Sequence, residues 1–445
     1  METFYEKLNH IIDGYQSEMI EDLKRFIEIP SITSHRSEVG KALDYILERG
    51  QKAGFHTASL LNGEVGLIEM GRGEETLGIL AHVDVVNEGD PEKWRTPPFR
   101  PVLQDDALYG RGAIDDKGPV IASLYAMKAV RALGAELGKP LLKKVQLILG
   151  TREEEKWTDM EAYVNTFPLP DYGFTPDGEF PVCTIEKGAA ALTMVLPFGL
   201  DSVITQLEGG TSPNVVPGKC QLTVHGQEKV YTGKSVHGCQ PEKGENAILK
   251  MAADLVGMGL SASPLSKVAE MLLRYFGDRE GAALGLRSES EYYNGEFVHR
   301  NIFTPTMIQA REDGTKIVFD IRYAYGTDSR MILAAFQQLA SDLGGSVESF
   351  EDLPPVYVSR DKPFIRAFAQ AYEKMSGLKN EYVLAYGGSY AKAMPNIVSW
   401  GPLFPGDTDT CHEENEFITI DALMKNTRIF AAAIWSIAMS AESFK

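Results

Sequence analysis

Cysteine is scarce in this chain: four in 445 residues, Cys183, Cys220, Cys239 and Cys411, with no Cys-x-x-Cys pair among them. That excludes a disulfide-dense scaffold and suits free thiols in a reducing compartment. No apolar run reaches the roughly 18 residues a spanning helix needs. The amino-terminal stretch has no basic segment leading into an apolar one, so no signal peptide is expected and a cytoplasmic protein is. Basic charge is in deficit: 44 Lys and Arg stand against 62 Asp and Glu, a net charge of −18. A nucleic-acid partner is therefore not expected, and neither is a membrane. No internal repeat or low-complexity run is visible.

What is present reads as an ordinary globular protein, 44% hydrophobic and 24% charged, long enough for two or more domains. Phe4, Leu8, Ile11, Ile12, Tyr15, Met19, Ile20, Leu23 and Phe26 recur at helical spacing and predict an amphipathic helix that packs on a domain. Further on, helix-like and strand-like segments alternate. Helices are expected over 41–53 and 120–133, the second with Pro119 near its first turn. Strands are expected over 64–70, 76–86 and 145–149. Such alternation predicts an α/β layered domain with a mixed, mostly parallel sheet flanked by helices.

From about residue 188 the character changes. Strands are expected over 190–196, 219–225 and 316–323, and helices over 247–256 and 330–343. These predict an inserted α+β module with two ferredoxin-like halves, with a long irregular stretch over 261–309. After Pro354-Pro355 the α/β pattern returns, with helices over 364–375 and 422–439 and a strand over 397–400. The expected organisation is a catalytic domain in two segments, 1–187 and 355–445, interrupted by a lid at 188–354.

Within the strand-like run Leu80-Ala81-His82-Val83-Asp84, alternation would put His82 and Asp84 on one face. Two ionisable groups on one side of a buried sheet call for a ligand, for chemistry, or for a mutually satisfied core pair. A metal-bound His often passes its second N–H to a carboxylate. Four more clusters follow strands or precede helices, where open α/β sheets gather their ligands. Asp115-Asp116-Lys117-Gly118 leads into a helix and could simply cap it. Glu153-Glu154-Glu155 comes directly after a strand and would elsewhere be a solvated loop. Pro176-Asp177-Gly178 is also a turn signal. In the fifth, His412-Glu413 opens like a His-Glu-x-x-His zinc helix, but residue 416 is Glu.

Taken in order, His82-x-Asp84, Gly112-x-x-Asp115-Asp116-Lys117-Gly118, Glu153-Glu154, Pro176-Asp177 and His412 resemble the co-catalytic metallopeptidase family that includes aminoacylase, carboxypeptidase G and succinyl-diaminopimelate desuccinylase. Within it they resemble the peptidase V-type dipeptidases, over nearly the whole chain. The resemblance implies two divalent metal ions, zinc before manganese or cobalt. One would take His82, Asp115 and Asp177, and the other Asp115, Glu154 and His412. It implies Asp84 as the group orienting His82, Glu153 as general base and a cis Asp115–Asp116 peptide. His237, in Ser235-Val236-His237-Gly238, would stabilise the oxyanion, and Asn214 and Arg322 would hold the substrate.

The loop Tyr386-Gly387-Gly388-Ser389-Tyr390 resembles the Gly-Gly-x-Tyr form of peptidase V enzymes, and the backbone at Gly388 and Ser389 could bind a substrate carboxylate. Arg152 departs from the Asp that related dipeptidases often carry. The implied function is hydrolysis of unblocked dipeptides, β-alanyl ones included. An N-acyl amino acid deacylase and a non-catalytic peptide-binding protein are the alternatives. The long lid implies a monomer, with a homodimer as the alternative.

Overall fold

The computed structural model describes residues 3–445, which form two compact units. The first comprises the chain up to Thr184, Val358–Val383 and Ser389–Lys445; the second comprises Ile185–Tyr357 and Leu384–Gly388.

The first unit is an α/β layer built on a sheet whose strands run His56–Leu60, Val65–Gly71, Lys144–Gly150, Thr76–His82, Tyr172–Thr175 and Ile397–Ser399 in spatial order. The last four are mutually parallel, and the first two add an antiparallel edge hairpin. The parallel strands are almost wholly buried apolar runs, as strands covered on both faces must be. Their shared direction brings His82, Gly150, Thr175 and Ser399 to one edge of the sheet, and His82 pairs in register with Gly150. Helices Lys117–Glu136 and Ile420–Ala438 pack on one another and on the strand Thr76–His82. Phe174 joins the late segments to this core: its ring meets those of Phe368, Trp400 and Phe430 at centroid distances of 5.4, 5.2 and 5.0 Å.

The second unit is a seven-stranded antiparallel sheet with helices Ala247–Gly257, Leu265–Phe276 and Ser329–Asp342 packed into its core. Its strand order is Gln227–Thr232, Lys219–Val224, Ile204–Gly209, Ile302–Arg311, Gly314–Tyr323, Gly188–Leu196 and Ser346–Leu353.

Three local expectations need correction. The amino-terminal helix is two, Phe4–Asp13 and Gln16–Ile27, parted at Gly14-Tyr15, where the Tyr15 ring turns edge-on to Tyr125. The strand expected over 76–86 stops at His82, because its neighbour ends at Gly150 and Val85 instead donates its N–H to Ser31. The stretch 261–309 holds the helix Leu265–Phe276, whose apolar face is buried, and the long strand Ile302–Arg311. No helix among the described residues is long and apolar enough to cross a membrane.

Phe174→Ala should destabilise the first unit by roughly 3–5 kcal/mol, the usual loss for a large aromatic removed from a packed core. Chemical denaturation read by tryptophan fluorescence checks this, since Trp400 lies against that ring. A shift under about 1 kcal/mol would mean the late segments do not depend on this cluster.

Candidate metal centre

Turns after the parallel strands, together with the turns before the helix Lys117–Glu136 and the strand Phe417–Thr419, bring six acidic or imidazole side chains of the first unit together. His82 Nδ1 lies 2.9 Å from the main-chain oxygen of Asp84. A carbonyl only accepts, so the neutral ring carries its proton there and turns the Nε2 lone pair the other way. Nε2 faces Asp115 Oδ1 at 3.0 Å and Asp177 Oδ2 at 3.9 Å. On the other side, His412 Nε2 lies 2.9 Å from Asp115 Oδ2 and 3.0 Å from Glu154 Oε2. Each oxygen of Asp115 therefore addresses a different imidazole. Glu153 joins the first group: ligand atoms of His82, Glu153 and Asp177 lie within 4.8 Å of one another, as do those of His82, Asp115 and Glu154.

The electrostatics of this cluster call for added positive charge. Burial, then the Asp177 carboxylate, holds the Glu153 carboxyl well above the usual range. Burial and the Asp115 carboxylate push Asp177 up to about 7. Asp115 goes the other way: although burial opposes it, His412 and His82 hold its carboxyl low. His82 Nε2 and Glu154 Oε1 are buried without a hydrogen-bond partner. In the neutral ring the 3.0 Å approach of Nε2 to Asp115 sets a lone pair against a carboxylate, which a proton or a metal cation between them relieves. Two donors each about 2.0–2.2 Å from one zinc ion stand roughly 3.3–3.6 Å apart in a tetrahedral site. The separations of 2.9–3.9 Å bracket that spacing, so the donor set fits divalent ions on geometry and on chemistry.

Buried carboxylates hold the turns that present these groups. The Asp84 side chain accepts from Thr33 Oγ1 at 2.7 Å and from the amides of Glu153 and Glu154 at 3.3 Å each. Its carboxylate is 3.5 Å from His82 Nδ1, farther than its own main-chain oxygen. Asp84 thus orients His82 through its backbone, and its side chain serves the Glu153-Glu154 turn. The Asp115–Asp116 peptide is cis, and Asp116 Oδ2 accepts from the His82 amide at 3.1 Å.

Glu416, unassigned from sequence, is fully buried and accepts from the amides of Gly112, Ile114 and Asp115 at 3.0, 2.9 and 3.2 Å and from Arg111 Nη1 at 2.8 Å. Arg111 Nη2 in turn donates to the carbonyl of His412 at 3.4 Å. Glu416 and Arg111 so tie the Asp115 turn to the His412 turn. The only hint in the sequence is an acidic residue directly before the strand Phe417–Thr419, where a carboxylate has no reason to be buried unless donors surround it.

The other residues singled out in the sequence gather in the second unit, apart from Ser389. Arg322 Nε donates to both Asp320 oxygens, at 3.0 and 3.3 Å, and Nη1 to the Tyr386 carbonyl at 3.3 Å. Any bidentate grip by Arg322 must use its Nη1–Nη2 end. Val215 bridges His237, and the Gly238 amide donates to the Asn214 carbonyl at 2.7 Å. A Cβ on Gly238 would meet Asp320 Oδ2 at 1.8 Å, so the His237 turn lies directly against the carboxylate that holds Arg322. Gly388 is exposed at the end of this unit's last segment. Ser389 is the first residue of the returning first unit, and its Oγ caps the turn Tyr390–Lys392.

The model of the family described as "Peptidase family M20/M25/M40" matches residues 78–436. A Bacillus subtilis relative named "Putative dipeptidase YtjP" is 30% identical, with 95% of this chain and 98% of that one covered. In fold the chain is similar to human carnosine dipeptidase 1, at a TM-score of 0.66 and 16% identity over 98% of this chain and 99% of the other. It is similar too to the dipeptidase Dug1p of Saccharomyces cerevisiae, at a TM-score of 0.64 and 15% identity over 98% and 99% of the two chains.

Glu416→Gln puts an amide N–H₂ among donors that need an acceptor. Divalent-ion affinity should fall roughly 10–100-fold, the usual cost of disturbing a group that orients ligands. Competition with a chromogenic chelator measures it. Unchanged affinity would show that the Asp115 turn is held without Glu416.

Proposed function

The chain belongs to peptidase family M20/M25/M40 and is a metallopeptidase, and from that premise we propose that it is a two-metal dipeptidase acting on unblocked dipeptides, β-alanyl ones included. The observation that carries the reading is Asp115, whose two oxygens each face a different imidazole while Glu153 stands in the same group. His82, Asp115 and Asp177 would hold one ion and Asp115, Glu154 and His412 the other. Such a pair, when bound, supplies Lewis-acid polarisation of a carbonyl and a water of lowered pKa. Zinc is the proposed ion, since each group offers one imidazole nitrogen and two carboxylates; manganese and cobalt suit the same donors.

Glu153 takes the proton of the attacking water and passes it to the leaving amine. Standing in the group with His82 and Asp177, its carboxylate is placed to take that proton once bound ions keep it ionised. Asp84 holds the base by its amide and that of the adjacent ligand Glu154, so the two keep one spacing. His237, Asn214 and Arg322 keep the substrate-handling roles the resemblance implies, and Gly388 and Ser389 that of offering backbone to a carboxylate. Support for the first three is their gathering around Asp320 in their own unit. The dipeptidase name of the 30% identical relative supports peptides over N-acyl amino acids. We propose that the enzyme is cytoplasmic and a monomer; light scattering of the purified protein tests the second.

Glu153→Ala should lower turnover about 10²–10⁴-fold, the worth of a positioned proton carrier, with metal content as in the wild type. The deciding assay is a panel of free dipeptides, β-alanyl dipeptides, and N-acetyl and N-succinyl amino acids. It is run after chelation and separate restoration with zinc, manganese and cobalt. Preference for the N-acyl compounds, or full activity of Glu153→Ala, would overturn the reading.

A further inference from the structure

The turn that carries Glu153 is held by more than the Asp84 carboxylate. Four consecutive amides, those of residues 151–154, all point at buried carboxylates. Asp84 takes the second pair, and Asp159 Oδ2 takes the first, from Thr151 at 2.6 Å and Arg152 at 3.0 Å. Asp159 Oδ2 has a third donor, the hydroxyl of Tyr390 at 2.7 Å, while its Oδ1 accepts from the Met160 amide at 2.7 Å. Tyr390 is fully buried.

Its place is built around that contact. A Cβ on Gly150, the last residue of the strand leading into the turn, would meet the Tyr390 hydroxyl oxygen at 2.2 Å, so the hydroxyl occupies space only glycine leaves. The ring stands edge-on to His82 and Trp157, at centroid distances of 6.3 and 5.6 Å. Trp157 Nε1 donates to the Glu153 carbonyl at 2.7 Å. Tyr390 therefore bears on the turn twice, through Asp159 on residues 151 and 152 and through Trp157 on Glu153 itself. The Ser389 side chain, which accepts from the Ala391 amide at 3.3 Å, fixes the backbone on which Tyr390 sits.

We propose that Tyr390 is a positioning residue for Glu153, acting through Asp159 on the turn that carries the base. Packing alone would be served by phenylalanine. The hydroxyl instead supplies one of four donors to a buried carboxylate, and a charge-assisted bond of that kind is directional. With the donor gone, Asp159 can shift toward the amides it still serves, and residues 151–154 shift with it. A displacement of about 1 Å at a catalytic group can cost on the order of 10²-fold in rate. Tyr390 directly follows Ser389, a residue proposed to meet substrate, so Ser389 and the base turn share one fixed point within the first unit.

The inference rests on the proposed role of Glu153 as general base. Its test compares wild type, Tyr390→Phe, Asp159→Asn and the double variant, with each rate normalised to folded, metal-replete protein. Tyr390→Phe should lower kcat roughly 10–100-fold at saturating metal while KM on a free dipeptide stays within about threefold; chelator-competed metal affinity falls less than kcat, because Asp84 still holds the Glu154 amide. The double variant should be no slower than Asp159→Asn alone, since the hydroxyl acts through that carboxylate. Wild-type kcat in Tyr390→Phe, or losses that multiply in the double variant, overturns the positioning role and leaves the dipeptidase reading standing. Wild-type protein that hydrolyses no dipeptide overturns that reading and this one together.

Discussion

The Asp115 carboxylate is the constraint on which the first unit's active edge depends. Its two oxygens look in opposite directions, one to an imidazole at the end of a central strand and one to an imidazole more than three hundred residues later. For a single carboxylate to serve both, the strand end, the turn before the helix Lys117–Glu136 and the His412 turn must keep fixed relative positions. The parallel sheet sets the first of these by register. The other two are set by Glu416 and Arg111, which join the turns by hydrogen bonds outside any helix or sheet ladder.

A common device runs through the site. Asp84, Asp116, Asp159 and Glu416 are buried carboxylates whose partners are largely backbone amides of the turns that carry the metal-facing groups. A carboxylate suits this task because one group accepts several N–H bonds at once and is strongly directional in a low-dielectric setting.

Much of this was legible in the sequence, for reasons that differ by residue. Three of the four parallel strands announce themselves as apolar runs, while Tyr172–Thr175 was not expected; His82 stands out by its charge in such a run, and Asp115, Glu153, Glu154, Asp177 and His412, each weak alone, were picked out by their resemblance in order to the metallopeptidase pattern. The mixed α/β layer and the inserted α+β unit follow from the change in periodicity near residue 188. What stayed hidden was what only contact reveals. Asp84 was noticed as a neighbour of His82, yet its side chain serves a turn about seventy residues on, because the strand ends at His82, before Asp84. Glu416 read as the residue that spoils a zinc helix, and Asp159 drew no reading at all. Neither carries local periodicity, since both are defined by donors brought in from elsewhere. The helix Leu265–Phe276 was missed because Gly, Pro and Ser flank it closely and masked an apolar face that is nonetheless fully used.

These points bear on how the site is rigid and charged at once. Without cations, burial holds Glu153 and Asp177 towards their protonated forms, while Asp115 is held charged by the imidazoles. Bound divalent ions reverse the first tendency by stabilising the ionised carboxylates, and only the folded arrangement presents these groups together. Ion binding and folding of the first unit are therefore thermodynamically linked: what favours one favours the other. The amide-anchored turns supply the geometry in advance, so ion binding need not also order the loops. On this view the buried carboxylates around the site are the reason a centre of like charges can be held ready rather than assembled at each encounter.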